Sequence, residues 1–105
     1  MDFKDLASRL GFDEEDFKEL VELFITTTFS DIEKIKKGIL ENNPADAAAA
    51  SHSIKGAAGN LGFDEIFSLA RDMEMQAKTG TLENFTTYIN DLEVRINALN
   101  PSCGL

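Results

Sequence analysis

Apolar residues recur along this chain at spacings of three and four, and no stretch alternates strictly between apolar and polar. Phe3, Leu6 and Leu10 predict a short first helix that stops at Gly11, a residue suited to a left-handed cap. Asp13 reads as the N-cap of a second helix, with Asp16 three residues on and Phe12 and Phe17 at the two positions of a hydrophobic staple. Its stripe, Phe17, Leu20, Val21, Phe24, Ile25, Thr28, Ile32, Ile35 and Ile39, keeps helical spacing over about seven turns. Thr26-Thr27-Thr28 is poor helix material, so tertiary packing must hold that turn. Asn43 then caps a third helix with Pro44 in its first position, where the missing N–H costs nothing, and Gly62 ends it after Leu61.

Asp64 is placed to cap a fourth helix with Ile66, Leu69, Ala70, Met73 and Ala77 as its buried stripe and Gly80 as its stop. Thr81 is expected to cap a fifth, whose Leu82, Phe85, Ile89, Leu92, Ile96 and Leu99 form a heptad seam. Short connections make successive helices antiparallel neighbours. The expected fold is therefore all-α: a single domain over 1–105, with an antiparallel up-down-up-down four-helix bundle over 14–99. A short additional helix over 1–11 covers one end, and 100–105 form a frayed tail.

The third helix differs from the others. With His52 set at zero on a helical wheel, Ala50, Ile54, Ala57 and Leu61 fall between roughly 140° and 200°, directly opposite the imidazole. Lys55, Gly56 and Gly59 lie within about 60° of it, on its own face. A glycine inside a helix costs ~1 kcal/mol relative to alanine, and outward-facing glycines have no core to fit. What they provide is access, since a missing side chain one turn away lets another molecule reach the ring.

Lys55, beside that ring, is a compact cation suited to phosphoryl oxygens. A histidine nucleophile also needs one nitrogen free and the other held by a partner. Glu74, at the edge of the fourth helix's stripe, can accept the Nδ1 proton and leave Nε2 to attack. Equally, it is one of 19 acidic residues on a wet surface.

Charge narrows the functional classes. A net charge of −9 excludes a phosphate backbone as partner and disfavours an anionic membrane surface. No apolar run approaches the ~20 residues of a membrane span, and Met1-Asp2-Phe3-Lys4 does not open a signal peptide, so a cytoplasmic protein is expected. The single Cys103 cannot form an internal disulfide. One histidine rules out a di-metal carboxylate bundle with paired Glu-x-x-His motifs, and no metal site is expected. Ser51 and Ser53 point about 100° to either side of His52, which leaves no hydrolytic triad. Residues 56–62 are glycine-rich but lack the Gly-Lys-Ser/Thr of a phosphate-binding loop.

Residues 51–63, Ser-His-Ser-Ile-Lys-Gly-Ala-Ala-Gly-Asn-Leu-Gly-Phe, resemble the signature of histidine phosphotransfer (Hpt) domains, H-x-[IL]-K-G-x-x-x-x-[LFV]-G. The number and order of the other predicted helices agree with that family over nearly the whole chain. The resemblance implies a phosphorelay carrier without a nucleotide site or cofactor of its own. His52 would take a phosphoryl group from a receiver-domain aspartyl phosphate onto Nε2 and pass it to another receiver. Lys55 would stabilise the phosphate and Gly56 would give access, with Mg²⁺ supplied by the receiver. Partners would be response-regulator receivers and a hybrid or chemotaxis-type histidine kinase, with the chain itself a monomer.

The position 22 residues after the histidine is often Gln in free-standing carriers and Glu in chemotaxis-type kinases; here it is Glu74. The docking face would be the exposed side of the third helix with Gly59, and the adjoining part of the second with Phe29. Phe63, at about 20° on the wheel, either touches the partner or is buried. Two alternatives stand beside this reading: the same bundle as part of a larger kinase, and a helical interaction module with no chemistry.

Overall fold

Residues 3–99 are described by a computed structural model, in which they form five helices and no strand. These are α1 (Phe3–Leu10), α2 (Glu14–Leu40), α3 (Pro44–Leu61), α4 (Asp64–Lys78) and α5 (Phe85–Asn97). The expected tail at 100–105, with Cys103, lies outside the described residues. Helix α3 packs against α2 and α4, α5 against α4 and α2, and α1 against α2. At 1.5 Å per residue the 27 residues of α2 span ~40 Å, so this helix runs the length of a molecule 42 Å long.

The predicted stripes form the core. Phe17, Val21, Ile32 and Ile35 of α2, Ile54 of α3, Ile66 and Met73 of α4 and Leu92 and Ile96 of α5 are all buried. Each such side chain contributes roughly 1.5–3 kcal/mol of burial free energy. Thr28 is buried among them, and the Thr26 hydroxyl donates to the Glu22 carbonyl at 3.2 Å, so packing and a local bond hold the threonine turn. Phe12 lies against Phe17, ring centroids 6.3 Å apart, as a staple requires. Leu10 departs from its expected place and is exposed; Leu6 and Ala7 carry the buried side of α1.

Local chemistry sets the ends of α3. The Asn43 side chain accepts a hydrogen bond from the Asp46 N–H at 3.3 Å, and Pro44 opens the helix. At the other end Gly62 is left-handed (φ 78°), the Phe63 N–H reaches the Ala58 carbonyl at 3.0 Å, and the Gly62 N–H reaches Gly59 at 3.3 Å. This paired closure turns Phe63 out of the helical phase and into the interior. There it is only 1% exposed, edge-on to Phe24 and Phe17 at 5.2 and 6.4 Å. The expectation that Phe63 serves docking is thereby overturned. The wheel angle assumed a helix that had already ended.

The start of α5 also differs from expectation. The helix begins at Phe85, behind Asn84 (φ 68°), and not at Thr81. The Thr81 hydroxyl instead accepts from the Glu83 N–H at 3.1 Å and organises a turn. The Gln76 amide donates to the Glu83 carbonyl, and the Tyr88 hydroxyl donates to Gln76 Oε1 at 3.2 Å, pinning this connection to α4. Phe63, not Asp64, occupies the cap position of α4, and Asp64 sits in the first turn where its charge favours the helix dipole.

Candidate functional site

His52 projects from the middle of α3 with its side chain 66% exposed. The side of α3 that leans on the core is broader than predicted and rotated toward α4. Ala47, Ala48, Ala50, Ser51, Ile54, Ala58 and Leu61 are buried, whereas Ala57 is only half-buried. The tight α3–α4 contact draws the stripe to that side, which small side chains allow.

That contact brings Glu74 under the histidine. Its side chain is 5% exposed, and Oε2 stands 2.9 Å from His52 Nδ1. Lys55 Nζ lies 2.7 Å from Oε1, and Lys78 Nζ lies 3.1 Å from Oε2. One buried carboxylate thus holds an imidazole and two ammonium groups. The Lys55 ammonium, then burial acting in the opposite sense, then Lys78 and His52, bring the Glu74 carboxyl from 4.5 down to about 2. An ionised carboxylate can only accept, so Nδ1 carries the proton of this hydrogen bond, and in the neutral ring Nε2 is then the nitrogen with the lone pair.

A group lowered in the folded state stabilises the fold above its unfolded value and loses that contribution as pH falls through its folded value. Glu74 therefore contributes fully above pH 4.5 and progressively less down to about 2. In urea, the native chain should exceed Glu74→Gln by roughly 2–3 kcal/mol at pH 6, and the gap should narrow as pH approaches 2. A gap that is the same at both ends would contradict the assigned ion pairs.

The two glycines of the histidine's face separate in role. A Cβ built on Gly56 meets nothing within 4 Å, so this position is open space. At Gly59 a Cβ would stand 3.2 Å from Phe67 Cδ2. Gly59 thus has a packing reason, the close approach of α4, which corrects the expectation that both glycines serve access alone. Phe29 of α2 is half-buried.

Lys78 was missed in the sequence, although Glu74 and Lys78 stand at the i, i+4 spacing that pairs a carboxylate with a lysine on one helix face. Among the described residues no group of three or more His, Cys, Asp or Glu is placed to hold a metal ion, and no helix is long and apolar enough to cross a membrane.

A family model described as Hpt domain matches residues 19–100, well over half the chain. The chain belongs to the Hpt domain family. Membership implies histidine phosphotransfer within a phosphorelay, with receiver domains and kinases as the general class of partner. No curated protein and no solved structure matches the chain. In this Hpt domain the signature residues His52, Lys55 and Gly56 sit on one face of α3, and α4 supplies the carboxylate beneath them.

Proposed function

We propose that this Hpt domain is a phosphocarrier whose His52 takes a phosphoryl group on Nε2 from the aspartyl phosphate of one receiver domain and gives it to the aspartate of another. The observation that carries the reading is the 2.9 Å contact between His52 Nδ1 and the buried, ionised Glu74. It supports a neutral tautomer with the proton on Nδ1 and Nε2 as the attacking nitrogen of a largely exposed ring. As Nε2 attacks, the N–P bond forms, the aspartate's O–P bond breaks, and the partner's carboxylate leaves with the electron pair. Nδ1 keeps its proton, so the phosphorylated ring is cationic and Glu74 stabilises it. Attack by a second aspartate reverses the bond changes.

Lys55, three residues from His52 on the same helix, would turn from Glu74 to the phosphoryl oxygens, and the open space at Gly56 would admit the receiver's surface. Gly59 borders the same docking face. Mg²⁺ belongs to the receiver, which supplies charge stabilisation for the transfer. The packing of α2 on α3, α3 on α4, α4 on α5 and α5 back on α2 supports an antiparallel up-down-up-down bundle with α1 at one end. We place the protein in the cytoplasm as a monomer. A hybrid or chemotaxis-type histidine kinase is its upstream donor, whether the chain acts alone or as part of such a kinase.

Mixing the chain with a panel of receiver domains carrying ³²P on aspartate tests the proposal. Label that survives alkali, is lost in acid and maps to His52 is the expected result. No uptake from any receiver, or label at another residue, would refute it.

A further inference from the structure

We propose that Lys78 is a positioning residue: by sharing the Glu74 oxygen that holds His52, it limits the negative field on the imidazole and keeps the ring in its neutral, attacking form. The inference rests on the reading of His52 as the nucleophile, and adds a cation that the family signature does not contain.

A carboxylate 2.9 Å from a ring nitrogen orients the imidazole, but it also favours the imidazolium, which has no lone pair left at Nε2. A site with Glu74 alone would therefore gain orientation and lose nucleophile. Two ammonium groups offset this. Lys55 occupies Oε1 at 2.7 Å, and Lys78 reaches Oε2 at 3.1 Å, the same atom that His52 uses.

The two lysines are not equivalent. Lys55 projects from the histidine's own helix and is 25% exposed, and on the carrier reading it is the cation that follows an incoming phosphoryl group. When it turns away, Lys78 remains to hold Glu74 charged and in place. With its side chain 66% exposed, Lys78 adds little to stability as an i, i+4 pair, so its effect lies in the charge it brings to Oε2. The charged groups at this carboxylate are His52 and Lys55 from α3 and Lys78 from α4. Arg71, one turn earlier on α4, is turned toward Asp72 at 3.5 Å, and no charged side chain of α2 or α5 is paired with Glu74 or His52 among the described residues.

Ring titration of His52 by ¹⁵N NMR tests this without any phosphoryl group, on the native chain, Lys78→Met and Lys78→Arg. The Lys78→Met midpoint should move up by about half to one pH unit, and Lys78→Arg should bring it back. A Lys78→Met midpoint that stays in place or moves down overturns the inference. Phosphoramidate, a small donor whose P–N bond breaks as ammonia leaves and the new P–Nε2 bond forms, supplies a second readout. The rate deficit of Lys78→Met should be deepest below neutrality and shrink as pH rises, whereas a deficit equal at every pH overturns the inference. A midpoint that moves as expected in a chain that takes no label from receivers upholds the role of Lys78 and removes the carrier reading instead.

Discussion

A His52→Gln chain should take up no label from any phosphorylated receiver, a fall of at least ~10³-fold, equivalent to ~4 kcal/mol or more of lost transition-state stabilisation. Glutamine offers a similar reach and polarity on the same face of α3, but its amide nitrogen has no available lone pair. No other imidazole exists in the chain to substitute for it. The fold should be indifferent to the change. The side chain is 66% exposed, and Glu74 keeps both lysines when the ring is gone. Unfolding free energies from urea titration should agree within ~0.5 kcal/mol, as for ordinary surface substitutions. Stable label on the variant would place the chemistry elsewhere.

The second large effect is expected at Gly56. Gly56→Phe should lower transfer from a receiver by ~10²-fold or more, because a benzyl group one turn from His52 fills the space through which a protein partner must approach. That is a barrier of ~3 kcal/mol. The helix itself has room, since a Cβ there meets nothing within 4 Å, and losing a mid-helix glycine favours the helical state by a few tenths to ~1 kcal/mol. Fold and transfer should therefore separate. Labelling by phosphoramidate gives the control, because a donor of that size still reaches Nε2. If transfer from the receiver and from phosphoramidate fall together, the substitution has disturbed the histidine and not the approach to it.

How far the site could be read from the sequence follows from which helical phases persisted. Residues inside one continuous helix were placed correctly relative to one another. His52, Lys55 and Gly56 share a face because four residues span about one turn, whatever the neighbouring helices do. Phe63 was misplaced because Gly62 ends that phase one residue earlier, and the two closing hydrogen bonds turn the ring inward. Leu82 and Thr81 were assigned to α5 because a heptad seam ignores the backbone that precedes it. The left-handed Asn84 delays the helix to Phe85.

Contacts between helices were harder to read. On a wheel Gly59 and Gly56 are alike, and only the position of Phe67 tells them apart. Glu74 was visible as a residue at the edge of a stripe, but its burial depends on how closely α4 approaches. Lys78 was one lysine among ten basic residues until Glu74 was fixed as a hub, after which the i, i+4 spacing identified it.

The exposure of the His52 side chain, 66%, would have a further consequence for a phosphorylated ring. A phosphoryl group there would have no roof, so bulk water would reach it as freely as a receiver does. The one buried carboxylate nearby is committed to the opposite nitrogen of the ring and cannot act as a base on an approaching water molecule. Apart from the charge of Glu74 on the ring and of Lys55 on the phosphoryl oxygens, the lifetime of the N–P bond would then be set by its intrinsic chemistry. On the proposed reading, such a molecule would suit rapid hand-over between partners and would make a poor long-term reservoir of phosphate.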